Sequence, residues 1–421
     1  MSSPASTFKF LHAADIHLDS PQRGLDRYEG APVEECRGAT RRALENLVEL
    51  AMAEKVAFVV VAGDLYDGDW PDYNTGLFFG KQMLRLRDAG INVYMIRGNH
   101  DAQNKMTRDL KLADNVKMFD HESPGTMVID DLGVAIHAQS FARQAVWDNL
   151  ARAYPRRVAG CFNLGLLHTG VDGREGHDSY APCTLDDLRT REYAYWALGH
   201  IHKREVLIED DPWIVFPGNI QGRHARETGP KGCMLVTVDP HLEVASAEPR
   251  WLDVVRWEGC KLDASGDRDG DAVVARFNDE LGGRLAGDDG RLRAIRVEVI
   301  GTSPAHAALA SQAAKWTNEI RRAAIDAGDG RVWVEKVIFR TSPPRELSED
   351  LLADAPLAEL AAFLDELRGD DARLEALRAQ VLDDLVRRLP VDLKEAFDGP
   401  GRIRGLLDQV GPLLLDRLRR R

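Results

Sequence analysis

Val56-Ala57-Phe58-Val59-Val60-Val61-Ala62-Gly63-Asp64-Leu65-Tyr66-Asp67 reads as seven apolar residues that run without a break into a glycine and two aspartates. An apolar run without alternation is expected of a strand buried on both faces. Helical patterns flank it. Glu34 to Lys55 carries Leu44, Leu47, Val48 and Ala51 on one stripe, and Asp72 to Ala89 is helical again. Phe8 to Ala13 reads as the strand before this block, and Ile91 to Ile96 as the strand after it. This strand-helix-strand order predicts a layered α/β fold. Runs at Asn163 to Leu167, Tyr195 to Leu198, Trp213 to Phe216 and Cys233 to Val238 extend the sheet system.

Five polar motifs, each at the end of a strand-like run, follow one another in the first half. They are Asp15-Ile16-His17, Gly63-Asp64-Leu65-Tyr66-Asp67, Gly98-Asn99-His100-Asp101, His168 and Gly199-His200-Ile201-His202. Residues two apart in extended backbone project to one side, so Asp15 and His17 can reach one metal, and His200 and His202 one cluster. Asp64 follows the buried strand directly, at the edge where open α/β sheets hold ligands. Asn99 and His168 emerge in the same way. Two cations about 3.5–4 Å apart need a bridging carboxylate, and Asp64 is the natural bridge. Mixed imidazole and oxygen donors suit manganese, iron or zinc better than calcium. His100 lies beside a ligand and is read as the group that protonates a leaving oxygen or stabilises transition-state charge. Asp101 is expected to hold the His100 ring in one tautomer. Asp67 is expected to orient a ligand or His100.

Other residues read more plainly. His12, His121, His137, His177, His241 and His306 lack such context and read as structural or surface residues. Gly98 and Gly199 read as turn formers. Asp69-Trp70 and Trp196 read as packing. Arg223, His224, Arg226 and Lys231 form a basic loop, and either a phosphate-backbone contact, carried by Arg223 and His224, or plain solvation would explain it.

The chain has 421 residues, 44% of them hydrophobic, so a sizeable core is expected and bulk disorder is not. A net charge of -13 argues against a protein that coats nucleic acid over its whole surface, though bound cations and a basic groove can reverse the sign at one site. Five scattered cysteines with no Cys-x-x-Cys pair suggest neither a disulfide framework nor a thiolate zinc site, and fit a reducing setting. No apolar stretch approaches membrane-spanning length, so a soluble, cytoplasmic protein is expected. The expected domains are residues 1–264, a small α+β domain at 272–341 after a Gly/Asp-rich linker from Ser265 to Asp271, and a helical region at 345–421. Leu357, Leu360, Leu364 and Leu367 share a helical stripe, as do Leu374, Leu377, Val381 and Leu385.

The five motifs together resemble the calcineurin-like metallophosphoesterases. The resemblance implies a two-layer β-sandwich flanked by helices. It would put Asp15, His17, Asp64 and His202 on one divalent metal and Asp64, Asn99, His168 and His200 on a second, with His100 catalytic. His17-Leu18-Asp19-Ser20-Pro21 and the stretch from Phe216 to Gly232 are similar to the DNA repair exonuclease branch, SbcD-like and YhaO-like. That branch implies Mn²⁺, with Fe²⁺ or Zn²⁺ as alternatives, and DNA as substrate. It also implies a small domain that caps the nuclease site and helps hold DNA, and a tail that docks on an SMC-like (SbcC-like) ATPase. Relatives often dimerise through helices near the catalytic domain. Archaeal and eukaryotic members often carry His where this chain has Asp67, and bacterial members often Asp. The first expectation is therefore a 3′-to-5′ DNA exonuclease with scope for endonuclease cleavage. The second is a phosphatase or a small-molecule or cyclic-nucleotide phosphodiesterase on the same core. A purple-acid-phosphatase type is disfavoured, because Tyr66 is two residues after Asp64 and not three. A non-catalytic scaffold ranks last, since no motif residue is missing.

Overall fold

The computed structural model describes residues 6–20, 31–67, 74–103, 112–173, 180–287, 289–344, 355–381 and 400–419. Pro21, Asp69, Trp70, His177 and Leu385 lie outside the described residues, as does the tail between 382 and 399. The chain divides into two compact units, Met1–Glu258 with Gly290–Ala294, and Gly259–Asp289 with Ile295–Arg421.

The strands of the first unit are, in chain order, β1 (Phe8–Ala13), β2 (Phe58–Ala62), β3 (Asn92–Ile96), β4 (Val116–Met118), β5 (Gly125–Ile129), β6 (Val134–Ala138), β7 (Phe162–His168), β8 (Tyr195–Gly199), β9 (Glu205–Glu209), β10 (Trp213–Phe216), β11 (Gly232–Val238) and β12 (Val244–Trp251). Among the described residues they form two six-stranded sheets, ordered β12-β11-β1-β2-β3-β4 and β5-β6-β7-β8-β10-β9. The pairs β1-β2, β2-β3 and β3-β4 are parallel, as are β6-β7, β7-β8 and β8-β10. The C-terminal ends of the parallel strands within each sheet therefore share one edge.

Every residue of β2 is buried, and its two faces do different work. Val59 and Val61 pack against Leu44, Leu47 and Val48 of helix α2 (Ala39–Ala53) and Phe79, Met83 and Leu86 of α3 (Asn74–Asp88). Phe58, Val60 and Ala62 face the other way, into a core with Val134, Ile136, Phe162 and Leu164 of the second sheet. Phe10 stacks on Phe58 with ring centroids 5.0 Å apart and meets the edge of Tyr195 at 5.5 Å. The outer face of the second sheet is covered by Tyr154, Leu188 and Tyr193, packed on Trp196, Ile214 and Phe216. The result is two sheets face to face with helices outside them, an α/β sandwich. His12 lies fully buried in it, 3.0 Å from the Tyr195 hydroxyl and 3.1 Å from the Leu198 carbonyl, and burial drives its pKa down to about 3. It is a neutral structural histidine.

The helix expected from Glu34 to Lys55 is broken at Gly38 into α1 (Val33–Arg37) and α2. The strands that sequence patterns did not announce are short or half exposed. β12, for example, reads Val-Ala-Ser-Ala-Glu-Pro-Arg-Trp and is drawn into the sheet by antiparallel pairing with β11.

A third sheet has the order β13 (Val255–Asp263), β14 (Leu292–Thr302), β15 (Val332–Ser342). Its first strand begins before the Gly/Asp-rich stretch. That stretch supplies Asp269, whose carboxylate accepts from Ala272 N at 2.9 Å and caps α4 (Gly270–Leu285). In the second unit, Val273, Phe277 and Leu281 of this helix pack with Ile295, Val297 and Val299, and with Trp316 and Ile320 of the helix Ala313–Gly328. Three tail helices, Ala355–Gly369, Asp371–Val381 and Pro400–Arg419, share a small core of Leu367, Leu374 and Ile403. No helix among the described residues is long and apolar enough to cross a membrane.

Phe10 joins the two sheets, so Phe10→Ala should cost about 3–5 kcal/mol. Urea unfolding followed by tryptophan fluorescence checks this, and a loss below about 1 kcal/mol would contradict an inter-sheet core centred there.

Candidate metal centre

The polar motifs meet at the C-terminal edges of β1, β2, β3, β7 and β8. Their backbone is not extended there. Asp15, His17, Asp64 and His200 have φ of 49°, 45°, 51° and 101°. The left-handed turns, and not strand alternation, bring these side chains together. Such turns persist only where the surroundings fix them. Asp15 N donates to Gly63 O at 3.1 Å, His17 N to Asp64 O at 3.0 Å and Leu18 N to Leu65 O at 2.8 Å, which ties the loop after β1 to the loop after β2.

The glycines make room. Gly98 and Gly199 do not have positive φ, so the turn-former reading gives way to close approach. A Cβ on Gly98 would stand 2.2 Å from Asp64 Oδ1, and one on Gly199 would stand 2.0 Å from Ala62 O. Gly63 does need its φ of 87°, and a Cβ there would also press on His168 Nδ1 at 2.7 Å.

Asp64 is central. Its Oδ2 lies 3.8 Å from His17 Nε2 and 3.5 Å from His168 Nε2, and its Oδ1 accepts from His100 N at 3.0 Å. His168 Nδ1 donates to Ala62 O at 2.9 Å, which leaves Nε2 as a lone pair. That nitrogen faces Asn99 Oδ1 at 2.9 Å. His17 Nε2 and His202 Nε2 face each other at 3.1 Å. Both Asp15 oxygens accept from His200 N at 3.0 Å. The His200 ring stands 5.2 Å from that of His168. Among the described residues, three sets bring ligand atoms within 4.8 Å of one another: Asp15, His17 and His202; Asp15, Asp64 and His168; His17, Asp67 and His100. Acceptor atoms crowded together in this way fit a cation between them.

The charges agree with that fit. Burial opposes the Asp64 charge, but His168, His17 and His100 outweigh it and hold the carboxyl far below the ordinary range. Burial would lower His168, yet the Asp64 carboxylate beside it outweighs that and lifts it to about 9. Burial, with Arg223 adding to it, drives His17 down to about 3. Burial pushes Asp15 up.

The structure gives Asp101 and Asp67 different parts. Asp101 was expected to hold the His100 ring, but its carboxylate is taken up by the backbone amides of Leu65, Tyr66 and Gly98 at 3.0–3.1 Å. Buried there beside Asp64, its carboxyl rises to about 6. Asp67 makes the ring contact instead, with Oδ1 at 3.1 Å from His100 Nδ1 and 3.6 Å from His17 Nδ1. Its Oδ2 accepts from Ser20 Oγ at 2.5 Å and meets Arg223 Nη1 at 3.3 Å.

The basic loop divides. Arg223 turns into the site, while His224 is exposed and comes no nearer than 3.6 Å to Glu227. Lys231 is buried and donates to His202 O at 2.8 Å, so it is not a surface phosphate contact. Glu227, which sequence reasoning passed over, is buried. It accepts from His202 Nδ1 at 2.7 Å, Asn219 Nδ2 at 2.9 Å and Arg223 N at 2.8 Å. The one available signal was a lone acid within Gly222-Arg223-His224-Ala225-Arg226-Glu227.

Residues 8–204 match the calcineurin-like phosphoesterase family, and residues 257–342 match the middle domain of metallophosphoesterase YhaO. Residues 8–204 therefore form a calcineurin-like phosphoesterase domain, and the chain is similar to the YhaO-like branch of that family. Members of this family use two divalent metals. The phosphoesterase chain is 38% identical over 259 residues to the uncharacterized metallophosphoesterase YhaO of Bacillus subtilis, covering 61% of this chain and 63% of that one. It is 27% identical to DNA double-strand break repair protein Mre11 of Sulfurisphaera tokodaii, over 50% of this chain and 53% of that one. The Mre11 protein of Saccharolobus solfataricus is also 27% identical, over 49% and 52%. The chain thus spans less than two thirds of the length of each of these relatives.

Gly98→Ala should lower divalent-cation affinity by about ten- to hundredfold, because its methyl displaces Asp64 and His168. Mn²⁺ titration calorimetry reads this directly, and wild-type affinity in the variant would contradict the crowding.

Proposed function

We propose that this chain is a dinuclear-metal phosphodiesterase that cleaves DNA, a 3′-to-5′ exonuclease with scope for endonuclease cleavage. The observation that carries the reading is the convergence of Asp15, His17, Asn99, His168, His200 and His202 around the buried Asp64. The likeness to Mre11 proteins, whose name states DNA double-strand break repair, supports DNA as the substrate.

Asp15, His17, Asp64 and His202 would hold one cation, and Asp64, Asn99, His168 and His200 the other, with Mn²⁺ favoured by the mixed donors. Bound there, the pair supplies a water of lowered pKa and positive charge against the phosphate. The chain's own groups do the rest. His100 Nδ1 is held by Asp67, which leaves Nε2 to face the substrate. Burial works against a charged His100, and Asp67 and Asp64 outweigh it, so the ring keeps its proton more firmly than a free imidazole. As the water oxygen bonds to phosphorus and the ester bond breaks, Nε2 gives that proton to the leaving oxygen. The residues that match the YhaO middle domain would help hold DNA. The tail helices would dock on an SMC-like ATPase, and the chain would work in the cytoplasm, with dimerisation through helices of the first unit.

End-labelled single- and double-stranded DNA tests this with Mn²⁺ present. Wild type should degrade it, EDTA should stop degradation, and added Mn²⁺ should restore it. His100→Ala should keep metal and lose about 10²–10⁴-fold in rate. Turnover of bis-p-nitrophenyl phosphate with DNA left intact would contradict the nuclease reading, and full DNA cleavage by the variant would contradict the role of His100.

A further inference from the structure

The Glu227 carboxylate is buried and placed between a ring of the metal centre and an arginine. Oε1 lies 2.7 Å from His202 Nδ1 and 3.1 Å from Arg223 Nη2. Oε2 accepts from Arg223 N at 2.8 Å and from Asn219 Nδ2 at 2.9 Å. Arg223 Nη2 also approaches His202 Nδ1, at 3.3 Å. The shorter contact to a charged acceptor wins, so Nδ1 carries the proton and donates a hydrogen bond to Glu227. Nε2 is then the lone pair, and it is the atom that faces His17 Nε2 at 3.1 Å. A neutral imidazole offers a metal only its unprotonated nitrogen, and the partner of the other nitrogen chooses which one that is.

The same carboxylate reaches the acid–base side of the site. Arg223, fixed on Glu227 by main chain and side chain, meets Asp67 Oδ2 at 3.3 Å. Asp67 in turn holds His100 Nδ1 at 3.1 Å. One line of contacts thus runs His202, Glu227, Arg223, Asp67, His100.

We propose that Glu227 is a positioning residue. It holds His202 as the Nδ1-protonated tautomer so that Nε2 faces the cation position, and through Arg223 it keeps Asp67 on His100. This rests on the metal-centre reading above and adds to it a residue that touches neither cation nor substrate.

Glu227→Gln and Glu227→Ala of the full chain test it. In metal-free wild type, long-range ¹H–¹⁵N spectra should show His202 protonated at Nδ1 alone, and Glu227→Gln should show a mixture of both tautomers. Mn²⁺ affinity by calorimetry should fall about ten- to hundredfold in Glu227→Gln. The urea midpoint of the metal-free Gln variant should stay near that of wild type, and it decides the matter if the Ala variant does not fold. At saturating Mn²⁺, kcat should fall with KM little changed. An unaltered His202 spectrum together with wild-type Mn²⁺ affinity in Glu227→Gln would overturn the proposal. Wild-type protein that shows the Nδ1 tautomer but takes up no divalent cation would overturn the metal centre itself.

Discussion

Buried negative charge is costly unless it is compensated, and the first unit gathers Asp15, Asp64 and Asp101 at one edge, each nearly inaccessible to water. Each is compensated differently. Asp101 is surrounded by three backbone amides, which fix the loops after β2 and β3. Asp15 receives the His200 amide. Asp64 receives one amide and is otherwise faced by imidazoles, whose nitrogens can serve a proton or a cation alike. The bare glycines at 63, 98 and 199 follow from the same demand, since a side chain at any of them would occupy space those groups need.

The sandwich makes that concentration of charge tolerable. β2 gives one face to the helices and the other to the second sheet, so the loop that carries Asp64 leaves a strand with no freedom to shift. The loops after β1 and β2 are laced together by backbone hydrogen bonds, and the second sheet brings His168 and His200 to the same place. Strand order thus brings the loops to one edge, and the left-handed turns within them aim the ligands.

Much of this was legible in the sequence. The long apolar run at Val56 to Ala62 announced a strand covered on both faces, and the two-layer α/β architecture followed from it. The motif residues could be named, but the geometry that unites them could not. Extended alternation was the wrong reason for Asp15 and His17, because aspartate and histidine are at home in extended and left-handed backbone alike. Asp67 and Asp101 follow the ends of β2 and β3 at the same spacing, and only the backbone trace shows which one turns toward amides and which toward a ring. Glu227 lies 25 residues beyond its partner His202, and no local pattern joins them. β12 and β13 were silent because their strand character comes from pairing, with polar and small residues along an open face.

Aspartate, asparagine and histidine are the non-glycine residues that enter left-handed backbone most readily. At Asp15, His17, Asp64 and His200 the types a cation needs and the types the chain path tolerates therefore coincide. A lineage released from catalysis could exchange these residues for asparagine or glycine with little penalty in folding. Valine, isoleucine or threonine at the same places would be removed by folding alone. A decayed copy of this domain would accordingly keep its loops and lose its charge first, so the loop path alone would be weak testimony that a copy still turns over substrate.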